Sequence, residues 1–347
     1  MKTLTNDTGC NSSQPMNNFH PPLMLRNAHV QSILNSIRLR RPLVIRRSKE
    51  MLKTAVPHIL DCGDGIRLMG YHSGHNPAPP GKKDLCILIH GWEGSSDSSY
   101  IVSTAGFLWN QGMDIFRLNM RDHGPSHHLN EGLFHSCRID EVVGAVKQIA
   151  TRFPHKRLLL AGFSLGGNFA LRVAVGAPKA EIPLNQVVAI CPVLYPPGTL
   201  IAMEAGLQIY HLYFMKKWRR SLAIKRQFFP HIKALQRIAE FKTISQMTDY
   251  FVRHCTEYPD LQTYLKGYAI TGDRLSALTI PSTIIASNDD PVIPAADLKH
   301  LARPACLHIE TTKYGGHCGY LQDYRLTSWA DQRIMQLFSS DVQRRSV

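Results

Sequence analysis

Short, wholly apolar runs alternate with longer amphipathic segments along most of the 347-residue chain. The run at 84–89 (DLCILI) has an unbroken apolar centre, which is typical of a strand buried on both faces of a parallel sheet. The segment 137–153 spaces its apolar residues as in a helix that covers such a sheet. Strands are predicted at 84–89, 114–119, 158–161, 186–191, 280–287 and 306–310, and helices at 98–110, 137–153, 168–175 and 329–338. The pattern therefore predicts an α/β protein with a mostly parallel central sheet flanked by helices.

Two segments depart from this alternation. Strand-like runs at 58–60 and 67–72 flank Asp64-Gly65, which is a hairpin signal. Between 199 and 278 the chain is helical and basic, and we interpret this segment as a cap inserted into the α/β domain. The cap aromatic residues either line an apolar pocket or form the core of the cap itself; they are Tyr210, Tyr213, Phe214, Trp218, Phe228 and Phe229.

The predicted organisation has four parts. Residues 1–20 are rich in Asn and Ser and are expected to be a disordered tail. The first part of the α/β core spans 21–198, the helical cap spans 199–278, and the second part of the core spans 279–347.

A strand, a sharp turn and a helix meet in the stretch 156–177 (KRLLLAGFSLGGNFALRVAVGA). Ser164 stands at the apex of the turn, which has the pattern of a nucleophile elbow. Glycine is expected at Gly162 and Gly166 because strand and helix pass so closely there that a Cβ atom would collide. The backbone N–H of Leu165 is expected to point toward an oxyanion beside the serine. The pentapeptide alone also fits an ordinary Gly-rich turn. Candidate partner residues elsewhere in the chain are therefore needed to distinguish a nucleophile elbow from such a turn.

A second Gly-rich loop, HGWEGS at 90–95, follows the predicted strand at 84–89. A His-Gly pair after a central strand is the usual position of the other half of an oxyanion hole. The backbone N–H of Trp92 is therefore predicted to meet that of Leu165 at the substrate carbonyl. Gly91 and Gly94 allow the loop to approach the serine. The alternative is a plain strand-to-helix turn.

Carboxylate and imidazole candidates follow the last two predicted strands. Asp289 and Asp290 come after the strand at 280–287, and catalytic groups gather at the carboxyl ends of such strands. His317 lies in the Gly-rich loop after the last strand, a position that no other of the 17 histidines shares. An imidazole can take the proton of Ser164, and a carboxylate fixes the tautomer of that imidazole. The alternative for His317 is a structural loop histidine.

The formal net charge is +14, and much of the cationic excess is local. Residues 26–53 hold eight of the 40 basic residues, and residues 216–237 hold another eight without any acid. Such segments form solvated faces, or they attract anionic lipid headgroups or an anionic substrate. Nucleic acid is not an expected partner, because these runs lack zinc-finger spacing and RNA-binding aromatic motifs. The expected partners are a small-molecule or lipid ester and, peripherally, an anionic membrane surface.

Cysteine and histidine positions indicate neither a disulfide framework nor a metal centre. The eight cysteines are scattered without a CxxC pair, which is typical of reduced thiols in a cytoplasmic protein. His123, His127 and His128 share one predicted loop but lack the spacing of a known zinc site. We expect a shaped loop near the active-site mouth, no metal and no cofactor. The polar N-terminus has no signal-peptide pattern, and no run approaches 18 apolar residues.

Five motifs together carry a family resemblance: PLMLRNAHVQS at 22–32, HGWEGS at 90–95, GFSLGGN at 162–168, NDDPVIP at 288–294 and GGHCGY at 315–320. With Ser, Asp and His in this chain order, the chain resembles the YheT-like branch of the α/β-hydrolase fold superfamily from about residue 20 onward. The resemblance implies a carboxylic-ester hydrolase, with some relatives acting on acyl lipids. It also favours Asp290 over Asp289, because this loop usually reads acid-x-aliphatic-aliphatic-Pro in α/β hydrolases.

The chain departs from the branch after the predicted strand at 114–119. Where the branch commonly reads Asn-x-Arg-Gly, this chain continues as MRDHG at 120–124, and its cap also differs. The predicted function is a serine esterase that cleaves short- to medium-chain or lipid-like acyl esters through an acyl-Ser164 intermediate. Acyl transfer or thioester cleavage on the same triad is the enzymatic alternative, and a non-catalytic lipid-binding hydrolase-fold protein is the other.

Overall fold

The computed structural model describes residues 19–36, 39–75 and 82–344. Its strands form one sheet in the order β1-β2-β4-β3-β5-β6-β7-β8. The β1–β2 and β2–β4 pairs are antiparallel, and every other pair is parallel. The strands are β1 (Ala55–Asp61), β2 (Arg67–Ser73), β3 (Leu85–Ile89), β4 (Asp114–Asn119), β5 (Leu158–Phe163), β6 (Leu184–Ile190), β7 (Ser282–Ser287) and β8 (Leu307–Thr312).

Helices cover both faces of the sheet. In chain order they are α1 (Ala28–Ser36), α2 (Arg41–Arg47), α3 (Lys49–Lys53), α4 (Ser99–Asn110), α5 (Ile139–Arg152), α6 (Leu165–Gly176), α7 (Pro196–Ala205), α8 (Gln208–Phe228), α9 (Ile244–Cys255), α10 (Leu261–Gly267) and α11 (Trp329–Arg344). No helix in the described ranges is both long and apolar enough to cross a membrane.

Successive residues of β3 point to opposite faces of the sheet and so enter different cores. Ile87 and Ile89 pack in the core that α5 and α6 cover, which contains Phe169. Cys86 and Leu88 pack in the core that α4 and α11 cover. Because both faces are covered, all residues of β3 are buried, which accounts for its apolar run.

The predicted mostly parallel sheet, flanking helices and hairpin are confirmed, with ends that differ by a few residues. The basic stretch at 41–53, which had no predicted element, forms α2 and α3. Of the tail predicted at 1–20, residues 1–18 lie outside the described residues. Phe19 is only 3% exposed and packs against Tyr320 and Trp329, so the chain joins the core by residue 19.

The helical segment between β6 and β7 consists of α7 to α10 and short 3-10 turns. It begins at Pro196, three residues before the predicted boundary at 199. Its apolar side chains, including Trp218 and Phe251, join the same core as α5 and α6. This helical segment therefore packs over the carboxyl end of the sheet, where the candidate site lies.

Candidate active site

Ser164 stands between β5 and α6 with a φ of 54°, a left-handed conformation that non-glycine residues rarely adopt. A Cβ atom at Gly162 would overlap the carbonyl of Gly166, and one at Gly166 would overlap the carbonyl of Ile89. The steric reason predicted for both glycines is therefore confirmed. The tight turn lifts the serine side chain above the end of the sheet.

Ser164, His317 and Asp290 form one hydrogen-bonded chain. The Nε2 atom of His317 lies 2.9 Å from Oγ of Ser164. Its Nδ1 atom lies 2.9 Å from Oδ2 of Asp290. Asp290 follows β7 and His317 follows β8, so three separated strand ends bring these groups together.

The two neighbouring aspartates have different partners. The other oxygen of Asp290, Oδ1, accepts hydrogen bonds from the backbone N–H groups of Val292 (2.8 Å) and Ile293 (2.9 Å). Asp289 instead accepts from the Ser287 hydroxyl and from the backbone N–H of Gly316 at 2.9 Å. Asp290 therefore contacts the imidazole, whereas Asp289 holds the loop that carries it.

The environment of His317 favours its protonated form. Burial alone would lower its pKa, but the charge of Asp290 and the hydrogen bond to it outweigh burial and raise the pKa above the ordinary value of 6.5. A histidine with this bias takes a proton from a hydroxyl more readily than a free imidazole does.

Two backbone N–H groups near the serine have no acceptor among the residues that the structure describes. Neither Trp92 nor Leu165 donates its N–H to any residue that the structure describes. Leu165 opens α6, so its N–H has no partner within the helix. A Cβ atom at Gly91 would lie 3.1 Å from Cβ of Ser164, and this closeness brings the Trp92 loop to the serine.

Two buried histidines contact the backbone of the Trp92 loop, and the sequence alone did not predict these contacts. His90 Nδ1 bonds the carbonyl of Gly91 (2.8 Å), while its Nε2 accepts the N–H of Met120 (3.2 Å). Nε2 of His123 accepts the backbone N–H of Glu93 at 3.2 Å. Burial lowers the pKa of His90 to about 4 and that of His123 well below its usual value. Both rings are therefore neutral at physiological pH.

The N-terminal helix α1 contacts the loop of His317. Ser32 Oγ accepts the backbone N–H of His317 (2.8 Å), and Asn35 donates to the carbonyl of Cys318 (2.6 Å). Gln31 exchanges two hydrogen bonds with the backbone of Leu321. The motif at 22–32 thus has a structural reason that the sequence alone did not reveal.

The stretch 120–124, where the chain departs from the pattern of the branch, contains an aspartate in a left-handed conformation. Asp122 has a φ of 57°, the region that favours glycine. Its carboxylate binds the ammonium of Lys225 on α8 at 2.8 Å, and that ammonium also donates to the carbonyl of Asn130. Lys225 is fully buried. Asp122 therefore supplies a buried ion pair between the 120–136 loop and the helical segment.

A cavity of about 1050 Å³ opens above Ser164 and His317. Trp92 lines it beside Phe214, with ring centroids 5.3 Å apart and nearly parallel planes. Of the cap aromatic residues, Tyr213, Phe214 and Trp218 line the cavity. Tyr210 is buried elsewhere and bonds His29, whereas Phe228 is half exposed. The pocket interpretation therefore fits three of these residues and the core interpretation fits Tyr210, whereas Phe228 fits neither.

Cys191 and Cys318 lie close to the imidazole of His317. Their sulfur atoms and a ring nitrogen of His317 lie within 4.8 Å of one another, a grouping that could hold a metal ion. Both nitrogens of His317 are already hydrogen-bonded, to Asp290 and Ser164. Burial holds the pKa of the Cys318 thiol well above its usual value, which disfavours the thiolate that a metal needs. His123, His127 and His128 form no such group among the residues described here.

A mostly parallel eight-stranded sheet with a serine turn after β5 is the architecture of the α/β-hydrolase fold. The model of the alpha/beta hydrolase family matches residues 86–327. The chain belongs to this family and is a hydrolase.

Relatives confirm the resemblance to the YheT-like branch. The chain is 22% identical to "Putative esterase YheT" of Escherichia coli over 98% of both chains. It is 24% identical to "Monoacylglycerol lipase ABHD2" of Danio rerio, over 91% of this chain and 78% of that one. It is also 24% identical to "Medium-chain fatty acid ethyl ester synthase/esterase 2" of Saccharomyces cerevisiae, over 74% and 62%.

Solved structures show the same fold. The 2,6-dihydroxy-pseudo-oxynicotine hydrolase superposes with a TM-score of 0.55 at 16% identity, covering 86% of this chain and 72% of that one. Esterase Pf2001 of Pyrococcus furiosus superposes with a TM-score of 0.51 at 14% identity, covering 82% and 88%.

Proposed function

We propose that this hydrolase is a serine esterase that cleaves carboxylic esters with a medium-length or lipid-like acyl chain. The observation that carries the proposal is the chain of hydrogen bonds from Ser164 through His317 to Asp290, open to an apolar cavity. Relatives named as esterases and lipases support ester chemistry.

In the proposed reaction, Oγ of Ser164 attacks the ester carbonyl carbon while Nε2 of His317 takes the hydroxyl proton. The N–H groups of Trp92 and Leu165 bind the oxyanion that forms on the carbonyl oxygen. As the tetrahedral intermediate collapses, His317 returns the proton to the departing alcohol and leaves an acyl-serine. Water then attacks the acyl-serine with His317 as base, and the carboxylic acid leaves. Asp290 holds the imidazole tautomer and stabilises the imidazolium.

The cavity supports the choice of acyl chain. Its walls beyond the serine include Met203, Phe214, Trp218 and Phe251, and such walls bind hydrocarbon rather than polar groups. We propose that the predicted cap at 199–278 supplies this acyl site, while the two core parts at 21–198 and 279–347 supply the catalytic groups.

Labelling with a fluorophosphonate probe tests the nucleophile. The wild-type protein is expected to be labelled, and Ser164→Ala is not. Ser99→Ala serves as the matched control, because Ser99 also lines the cavity but is not hydrogen-bonded to His317. Equal labelling of the wild type and Ser164→Ala would remove Ser164 from the mechanism.

A panel of p-nitrophenyl esters from two to sixteen acyl carbons tests the reaction, with the highest kcat/KM expected at intermediate length. The same panel with alcohol acceptors and with acyl thioesters separates hydrolysis from acyl transfer and thioester cleavage. Turnover that stays at the Ser164→Ala level with every ester would favour a non-catalytic lipid-binding role.

A further inference from the structure

Large apolar side chains are exposed where α7 meets α8. Ile201 is 68% exposed, Leu212 59%, Ile209 52% and Leu207 48%. Single exposed apolar residues are ordinary on protein surfaces, but four within one helix junction form a local group that water solvates poorly. The junction is therefore a candidate interaction surface.

Helix α8 continues this group as a stripe along its outward side. Residues 209, 212, 216, 220 and 223 follow the three- and four-residue spacing of one helix face, and each is exposed. The opposite face buries Met215, Trp218 and Leu222. The outward face passes from apolar side chains in its first turns to the cations Lys216 and Arg220.

Three exposed cations of this helix have no internal counterion among the described residues. Lys216, Arg220 and Arg226 form no salt bridge with any residue in the described ranges. The sequence from 216 to 237 contains no acid at all. Their charge is thus free to bind an external anionic surface.

We propose that the outward face of α8 and the α7–α8 junction bind the surface of an anionic lipid bilayer. Ile209 and Leu212 insert among the headgroups, and Lys216, Arg220 and Arg226 contact the lipid anions. A helix with apolar side chains beside unpaired cations fits a planar surface that is both apolar and negatively charged. A protein partner would instead need acids placed against each cation.

The position of the surface gives it a consequence for the enzyme. Arg220 also lines the cavity above Ser164, together with Tyr213 and Lys217 of the same helix. The bound bilayer therefore lies beside the cavity, and an ester with a long acyl chain reaches the serine directly from the lipid phase. Bilayer binding itself does not need Ser164, so it is independent of the proposed hydrolysis.

Vesicle co-sedimentation of the full chain tests the proposal, with Ser164→Ala measured in parallel. We expect binding to phosphatidylcholine vesicles that contain 30% phosphatidylglycerol, at least tenfold weaker binding to pure phosphatidylcholine, and loss of binding at high salt. The pairs I209S/L212S and K216E/R226E are each expected to weaken binding at least tenfold. Each pair leaves turnover of a short, water-soluble ester unchanged.

Two matched pairs serve as controls. V56S/I59S replaces exposed apolar residues of β1 that are 51% and 52% exposed, and K156E/K179E reverses two exposed cations outside the helical segment. Both controls are expected to bind like the wild type. Equal binding to neutral and anionic vesicles, or equal losses in test and control pairs, would overturn the proposal. So would a dimer in solution that I209S/L212S converts to a monomer while vesicle binding persists, since the surface would then bind a second copy.

Discussion

The imidazole of His123 accepts the backbone N–H of Glu93 at a distance of 3.2 Å. Glu93 directly follows Trp92, whose own N–H is a proposed oxyanion donor. The bond requires a neutral ring with its proton on Nδ1, and that nitrogen lies 2.6 Å from the carbonyl of Arg121. Because burial keeps the pKa of His123 well below its usual value, the bond persists at neutral pH. His123 is therefore a positioning residue for the Trp92 loop.

Removal of this acceptor is expected to slow the reaction without weakening substrate binding. His123→Ala leaves the Glu93 N–H unpaired and frees the loop to move. We expect kcat to fall by about tenfold to a hundredfold while KM changes little. The expected fall is smaller than that for complete loss of an oxyanion donor. Steady-state kinetics on a p-nitrophenyl ester measure this split. His123→Gln, which retains an acceptor, is expected to recover part of kcat.

The neighbouring His128 provides the comparison for this prediction. It is exposed, and its ring lies against that of Phe228 on α8. His128→Ala is expected to keep wild-type kcat. If His123→Ala also kept the wild-type kcat, contacts other than the His123 bond would hold the Trp92 loop.

A second prediction concerns pH. Asp290 raises the pKa of His317 above 6.5 against the effect of burial, and only the neutral imidazole accepts the serine proton. Activity therefore rises with pH, and this ascending limb of the pH profile has its midpoint above pH 6.5. In Asp290→Asn the raising influence is gone and burial lowers the pKa, so the limb moves to lower pH while kcat drops about a thousandfold or more. The pH profile of kcat/KM reports both effects.

Asp289→Asn is the matched variant for this test. Asp289 contacts Ser287 and the backbone of Gly316 rather than the imidazole. Its replacement is expected to lower kcat by about tenfold and to leave the limb of the pH profile in place. A limb that moved in Asp289→Asn and stayed in Asp290→Asn would reverse the assignment of the two aspartates.

The architecture was predictable because a parallel sheet that is covered on both faces requires strands made of short apolar runs. Strand β3 and the serine turn after β5 follow directly from such runs and from glycines that sterics require. The basic helices α2 and α3 were not predictable in this way. Val44 and Met51 are buried there. Because cations flank both residues, the helical spacing of apolar positions is not recognisable in the sequence.

The candidate site was only partly predictable for a related reason. Local patterns identify Ser164, His317 and a pair of aspartates, because each stands in a loop after a strand. The supporting contacts join residues far apart in the chain, such as Ser32 with His317 and Asp122 with Lys225. No local pattern encodes such a pairing, and a buried histidine such as His123 looks like any loop histidine until its neighbours are known.

The contact between α1 and the His317 loop leads to a third prediction. Ser32 Oγ accepts the N–H of His317 and donates to the carbonyl of Ala28, both at 2.8 Å. Ser32→Ala leaves the His317 N–H without an acceptor, which costs about 1–3 kcal/mol of stability or lets the loop shift. A drop in kcat of about tenfold and a lower midpoint in urea are expected.

Thr151→Ala is a suitable control for the Ser32 variant. It removes a helical hydroxyl that donates to the carbonyl of Lys147, one turn earlier in α5. Stability and kcat are expected to stay near the wild-type values. A Ser32 variant that behaved the same way would mean that Gln31 and Asn35 suffice to hold the loop.

The buried pair of Lys225 and Asp122 carries the last prediction. The ammonium has no exposed surface and donates to the Asp122 carboxylate and to main-chain carbonyls, including that of Asn130. Lys225→Met removes this donor while keeping the length of the side chain, so a buried carboxylate and several carbonyls lose their partner. Breaking one side of a buried pair typically costs about 3–5 kcal/mol, and urea unfolding is expected to show a loss of this size.

Removing both charges distinguishes the ion pair from simple packing. In K225M/D122N no charge is left unpaired, so the double variant is expected to be more stable than Lys225→Met alone, with a coupling of at least about 1 kcal/mol. Lys216→Met on the same helix is the control, because Lys216 is exposed and its loss should change stability by less than about 0.5 kcal/mol. If Lys225→Met lost as little stability as Lys216→Met, the ion pair would not hold α8. The left-handed backbone of Asp122 would then be set by its loop alone, and the apolar face of α8 would hold the helix in place.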